Sequence, residues 1–263
     1  MIDLDAYLER LGLSGRPNVD EIHRAHSTSI PFENLDPLRG LAVSLETDDL
    51  QRKLVQERRG GYCFEQNLLL KAALETIGGL RVDMHLARVR YLAGGAIRPR
   101  SHIVLGVRSR DGHWLADVGY GLGTLFEPLP FEPGQERVQS GWRYRLVAED
   151  GGELVLQRME DGDWVDLYGF VPVPVPLIDV ETSNWWVCTH PRSPFVSGLI
   201  VASQSNDGTW MSVNDRSGRL ELVERTPAGS AAKALNLQQL PELLAERFGL
   251  EGFRLDGDGR LLR

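Results

Sequence analysis

The sequence predicts an α+β fold in three stretches: an N-terminal helical bundle, a central antiparallel sheet curling into a β-barrel, and a mixed α/β end. Three observations carry this reading. Apolar residues recur at helical spacing as far as Gly78-Gly79. From Arg81 to Leu167 the chain breaks into short segments rich in Val, Ile, Leu and aromatics, separated by turn residues. After about Val196, short apolar segments lead into one more amphipathic helix.

In the first stretch Leu4, Tyr7, Leu8 and Leu11 share one helical face, with Asp3 as N-cap and Gly12 as stop. A second helix starts after Asn18 and turns Ile22 and Ala25 inward. Its His23 and His26 stand three apart, a spacing open to metal binding. No Glu-x-x-His or third ligand accompanies them, so they read as packing or hydrogen-bonding residues. Ile30-Pro31-Phe32-Glu33-Asn34-Leu35-Asp36 is a Pro-broken connector that either lines a site or forms a plain corner on the core. A helix from Asp48 to Glu57 delivers the chain to Arg59-Gly60-Gly61, and another runs from Phe64 to Ile77.

Arg81 to Leu92, Ser101 to Val107 and His113 to Val118 then read as strands, with Arg108-Ser109-Arg110-Asp111-Gly112 as a hairpin signal. Trp142 to Val147, Leu154 to Arg158 and Asp163 to Leu167 continue the series, and strands at this spacing suggest a barrel. Pro172, Pro174 and Pro176 exclude a central strand, since proline donates no ladder bond, and make residues 170–176 an extended crossover. Strands follow at 199–203, 210–213 and 219–223. The helix from Leu240 to Phe248 tolerates Pro241 in its first turn and turns Leu240, Leu243, Leu244 and Phe248 to one side.

With 263 residues the chain can hold two or three sub-domains. A net charge of −8 leaves no sustained basic face for nucleic acid or an anionic membrane. Two distant cysteines give neither a disulfide framework nor a Cys-x-x-Cys metal pair. The acidic start Met1-Ile2-Asp3-Leu4-Asp5 does not read as a signal peptide, and no apolar run reaches the ~18 residues of a membrane span. The expectation is a cytoplasmic enzyme or binding protein without a metal.

Arg59-Gly60-Gly61-Tyr62-Cys63-Phe64-Glu65-Gln66-Asn67 concentrates the chemical information. The glycines allow a sharp turn and close approach, and the helix behind them leaves Cys63 at its first turn. Free N–H groups and the helix dipole there favour an anion, which would lower the thiol pKa and suit a nucleophile. A nucleophilic thiol needs a base held by a third group. His102 opens the strand Ser101-His102-Ile103-Val104-Leu105, and Asp117 lies near the end of the next one. If Arg108 pairs with His113, position 102 faces 119 and Asp117 is a diagonal neighbour at about 7–8 Å between Cα atoms. A two-residue Asp111-Gly112 turn would break that relation. Gly119-Tyr120-Gly121-Leu122-Gly123 superficially suits a nucleotide, but the prolines at 128, 130 and 133 follow it instead of a helix, so the dinucleotide fingerprint fails.

These segments resemble the arylamine N-acetyltransferase family. The resemblance is carried by Ile30-Pro31-Phe32-Glu33-Asn34-Leu35, Arg59 to Asn67, Ser101-His102, Asp117-Val118-Gly119-Tyr120-Gly121, Asn184-Trp185-Trp186 and Ser193-Pro194-Phe195. They stand in the family's order over about residues 30–195, and the Cys-centred segment is highly specific. Tyr120 departs from a frequent Phe, and the part after Phe195 matches only in broad pattern. The resemblance implies a helical domain (1–80) carrying the cysteine, a β-barrel domain (81–195) carrying His and Asp, and an α/β lid (196–263). It also implies a cysteine-protease/transglutaminase-like Cys-His-Asp core, with Cys63 as nucleophile, His102 as base and Asp117 as orienter. Phe32, Tyr120 and Phe195 would line the acceptor pocket. The implied reaction moves acetyl from acetyl-CoA to arylamines, hydrazines or N-hydroxyarylamines in two ping-pong steps.

The coenzyme site stays unassigned. Arg98 and Arg100, or Arg216 and Arg219, are candidates in an acidic chain, although exposed arginines are most often solvated surface. Two other classes remain open: a thioester hydrolase or amide exchanger (an amide synthase among them) using the same three residues, and a non-enzymatic binding module. Acyl-CoA turnover without an acceptor would mark the first, and a Cys63 inert to iodoacetamide the second.

Overall fold

The computed structural model describes residues 2–215 and 218–263. Helix α1 (Leu4–Arg10) is capped as expected, the Ala6 N–H donating to Asp3 Oδ1 at 3.0 Å. Helix α2 (Val19–Ser29) opens with a reciprocal capping box between Asn18 and Glu21. Strand β1 (Phe32–Glu33) and the short α3 (Leu35–Leu38) occupy the proline-broken connector. Helix α4 (Thr47–Leu50) runs into a π-helical stretch at Gln51–Gln56, so the expected helix is present but wound in two ways.

Helix α5 (Cys63–Ile77) is the central rod. Residues 63–70 are all buried, as are Ala73 and Leu74, which explains why its sequence is apolar nearly all round. It packs against β3 and β2 of the sheet that follows.

That sheet has eight antiparallel strands: β2 (Arg81–Val89), β3 (His102–Ser109), β4 (Gly112–Ala116), β5 (Leu129–Pro130), β6 (Glu136–Gln139), β7 (Trp142–Ala148), β8 (Leu154–Glu160) and β9 (Asp163–Phe170). Their order is β5-β4-β3-β2-β9-β8-β7-β6, a barrel-like curl that wraps Tyr120, Phe126, Tyr144, Tyr168 and Phe170 in its interior. Arg108 pairs with His113, the register the hairpin required. The turn is one pair tighter than a four-residue loop, because Ser109 also pairs with Gly112. The ladder ends at Leu105 and Ala116, so Asp117 leaves the sheet edge.

Residues 171–176 form the extended crossover. They lead into α6 (Leu177–Thr189), where the sequence pattern signals no element; Val, Ile, Thr and Trp at low helix propensity, placed directly after prolines, hide it. A single turn, α7 (Pro194–Ser197), precedes the last sheet. This sheet contains β10 (Ile200–Gln204), β11 (Trp210–Asn214), β12 (Glu221–Thr226) and β13 (Gly229–Ala234), and β1 supplies its far edge through Phe32 opposite Ala202. Strand β13 shows no alternation because every residue in it is exposed. Helix α8 (Leu240–Phe248) falls on the expected residues and closes a small core in which Leu240, Leu244 and Phe248 meet Val201, Val213 and Leu35. A two-stranded pair, Arg254–Leu255 with Leu261–Leu262, ends the chain.

Candidate active site

Cys63 owes its position to a buried charge cage behind the first turn of α5. Arg59 donates to Glu33 at 2.5 Å and to Asp36 at 2.8 Å, while Lys53 reaches Asp36 at 2.7 Å and Glu65 at 2.6 Å. Glu65 in turn accepts the Tyr62 N–H at 3.0 Å, capping the helix. Burial pushes the Glu65 carboxyl up to about 7 even though Lys53 opposes the shift. Gln66 donates to the Pro31 carbonyl at 2.9 Å and meets His26 at 2.6 Å. A Cβ on Gly60 would collide with the Pro31 carbonyl, so the close turn needs glycine there. The sequence segments 30–36 and 59–67 are thus one contact surface.

In front of the turn, Cys63 is buried and its Sγ lies 3.6 Å from the Ser101 carbonyl. The next residue, His102, opens β3, and its Nε2 is 2.8 Å from Asp117 Oδ2. That leaves Nδ1 as the ring's free polar atom. Asp117 Oδ1 accepts from Asn67 Nδ2 and from the Gly119 N–H, both at 2.9 Å. Burial works against the Asp117 charge, but His102, Asn67 and the Gly119 N–H outweigh it and hold the carboxyl below its ordinary value. The Asp117 N–H donates to His23 Nε2 at 3.1 Å, which fixes His23 as a neutral ring. His26 bonds Tyr7 Oη at 2.7 Å as well as Gln66, so both helix α2 histidines serve packing and hydrogen bonding. Rings of Tyr168 and Tyr120 flank His102, with centroids at 4.8 and 5.4 Å.

One expectation needs correction. Burial, then the Asp117 charge, pushes the Cys63 thiol up, against the pull of the Ile103 and Phe64 N–H groups. The helix start alone does not make a thiolate. Ionisation at Cys63 therefore depends on a partner that takes the proton within the same buried space.

Cys63 and His102 open onto a cavity of about 670 Å³ whose wall includes Phe32, Tyr120 and Phe195. Phe195 packs on Phe32 and Tyr62, at 6.1 and 5.5 Å between centroids. Asn184 of α6 accepts the Tyr62 hydroxyl and donates to the Val43 carbonyl at 2.9 Å, anchoring the helix whose Trp186 also lines the cavity. The Gly119-Tyr120-Gly121 loop opens no helix. Its glycines serve close approach instead: a Cβ on Gly119 would sit 2.7 Å from Cys63 Cα, and one on Gly121 2.5 Å from the Phe32 ring. Arg98 lines the cavity and donates to the Tyr91 and Leu92 carbonyls at 3.1 and 2.7 Å. Arg100 and Arg219 are exposed, and Arg216 lies outside the described residues. Among the described residues no cluster of three or more His, Cys, Asp or Glu side chains is arranged to hold a metal ion. Sequence reasoning assigned no role to Asn67, Tyr168 or Asn184. Of these, only Asn67 carried a local signal, standing four residues after Cys63 on the same helix face.

The profile of the N-acetyltransferase family matches residues 17–253. The arylamine N-acetyltransferase of Mycolicibacterium smegmatis is 40% identical over 260 residues, covering 95% of this chain and 92% of that protein. The chain belongs to the arylamine N-acetyltransferase family. A family member from Salmonella typhimurium, described as an arylamine N-acetyltransferase / N-hydroxyarylamine O-acetyltransferase, is 34% identical over 94% of this chain and 88% of its own length. Among solved structures, the Mycobacterium marinum arylamine N-acetyltransferase in complex with CoA superposes with a TM-score of 0.88 at 35% identity, over 94% of this chain and 93% of that one. The α+β fold read from the sequence is the fold of these family structures.

Proposed function

We propose that this chain is an arylamine N-acetyltransferase that passes acetyl from acetyl-CoA through Cys63 to an arylamine, hydrazine or N-hydroxyarylamine. The carrying observation is the convergence of the Cys63 thiol and the His102–Asp117 pair on one aromatic-walled cavity. His102 takes the thiol proton and becomes an imidazolium stabilised by Asp117, while the sulfur attacks the thioester carbonyl. Backbone N–H groups of Phe64 and Ile103 lie at the sulfur, and the Cys63 N–H at the helix start is the donor we assign to the oxyanion. As the tetrahedral intermediate collapses, the C–S bond to coenzyme A breaks and His102 returns its proton to that sulfur. The acceptor nitrogen then attacks acetyl-Cys63, His102 takes its proton, and the Cys63 thiolate leaves and is reprotonated.

Phe32, Tyr120 and Phe195 are the acceptor wall in this reading, a slot suited to a flat, weakly basic ring. We keep units at about 1–80, 81–195 and 196–263, with one core inside the curled sheet and a small one under α8, while the largest cluster, from Ile2 to Trp210, joins all three. The last unit covers the cleft and excludes water from a reactive thioester. Ile200 and Asp215 of that unit reach the cavity wall. Among the described residues no helix is long and apolar enough to cross a membrane, and we assign the reaction to the cytoplasm. Small molecules are the partners proposed, with neither nucleic acid nor membrane among them. Intact mass after mixing with acetyl-CoA tests the reading: one acetyl, about 42 daltons, should appear on Cys63. Turnover with no acylated cysteine would reject it.

A further inference from the structure

We infer that Asn67 is a positioning residue for the transfer: its side-chain amide ties the carboxylate that orients His102 to the helix that carries Cys63. This rests on the reading of Cys63 as nucleophile. Four residues separate Cys63 and Asn67 on α5, so both face the sheet one turn apart. Asn67 is fully buried and makes three bonds across that interface. Its Nδ2 donates to Asp117 Oδ1 and to the Ile103 carbonyl, each at 2.9 Å, and its Oδ1 accepts the Val118 N–H at 3.1 Å. The residues it grips follow His102 and follow Asp117 directly. One amide therefore registers the thiol, the base and the acid against each other.

The chemistry of the position selects asparagine. The site asks for two donations and one acceptance from a short planar group, which only a side-chain amide offers. With Oδ1 of Asp117 held by Asn67 and Gly119, Oδ2 is left to His102. Aspartate would set two carboxylates face to face, where only one can ionise readily. Glutamine is one methylene too long, since a Cβ at Gly119 would already stand 2.9 Å from Asn67 Nδ2.

The test measures the rate of acetyl-Cys63 formation by mass over about pH 5 to 9 in wild type, Asn67→Leu and Asn67→Asp. Leucine keeps the shape and removes every bond, so acetylation should slow about 10- to 100-fold at all pH values. In Asn67→Asp a protonated carboxyl can still donate to Asp117, so this variant should lose rate progressively as pH rises and the shared proton leaves. Folded variants acetylating within about threefold of wild type, or an Asn67→Asp loss with no new pH dependence, would overturn the proposal. If neither variant folds, the Asn67 side-chain amide resonances in wild type decide it. They should move through the same pH range in which iodoacetamide reactivity of Cys63 changes, and resonances that stay fixed would overturn it. A wild type that forms no acetyl adduct would instead strike the Cys63 reading, and the amide resonances would still judge Asn67.

Discussion

Behind the first turn of α5, Glu33, Arg59, Asp36, Lys53 and Glu65 alternate in sign, each ion bridged at 2.5–2.8 Å to an opposite one. In front of the same turn lie a thiol, an imidazole and aromatic rings, with Asp117 as the buried charge. The two sides treat charge oppositely. The cage pairs every ion, so its geometry is fixed by attractions that are strong at low dielectric and costly to break. In the cleft Asp117 is, among the described residues, the only ion held against Cys63 and His102, and in the proposed reaction a proton passes between the thiol and the ring. In the proposed reaction, holding the nucleophile and running the chemistry thus fall to opposite faces of one helix turn.

The sharpest break of this comparison is Cys63→Ala. Acetyl transfer should fall by more than about 10³-fold, while the unfolding midpoint should shift by only about a few degrees, since a single buried sulfur is lost. Cys188→Ala, on α6, should transfer acetyl at close to the wild-type rate. Retained transfer in Cys63→Ala, measured by acetylated product, would defeat the covalent route.

Arg59→Ala probes the other face. It leaves the fully buried Glu33 without its cation, while Asp36 keeps Lys53, and should cost about 3–5 kcal/mol in denaturant unfolding. The fraction that remains folded should still acetylate Cys63. An unchanged stability would mean that the cage is not what fixes the turn.

The smallest effect is a difference of opposite pH responses. Burial pushes His23 down to about 4 and His26 to about 3, so the neutral rings contribute stability that is full above about pH 6.5. It is lost as pH falls toward 4, by about 2 kcal/mol per ring on reaching pH 5. Glu65, raised to about 7, works the other way: its contribution is present at low pH and is lost as pH rises from the ordinary carboxyl range through 7. Wild type should therefore weaken only modestly between pH 7 and 5. Glu65→Gln should weaken more steeply over that range, and parallel curves for the two proteins would contradict the assignment.

Much of the fold was legible because its signals are local. Asp3 and Asn18 cap the helices they precede, Pro241 sits in the first turn of α8, and the hairpin places Arg108 opposite His113. Helix α6 was not legible, since its residues suit strands and packing against distant groups such as Tyr62 and the Val43 carbonyl favours the helix. Likewise nothing near Phe32 announces that it will pair with Ala202 in the last sheet.

By itself the sequence pointed to the residues proposed to carry the chemistry. Gly-Gly before a cysteine at a helix start, a histidine opening a strand and an aspartate closing the next are patterns a few residues long, and they named Cys63, His102 and Asp117. The tertiary structure decided what surrounds them. It joined residues 30–36 to 59–67 in one ion cage, set Asn67 against Asp117, and enclosed the thiol so that burial outweighs the lowering by the N–H groups at the helix start. Helix caps and turns act over one or two residues of backbone, whereas desolvation and ion pairing depend on every atom that packs around a group, most of them far away in the chain.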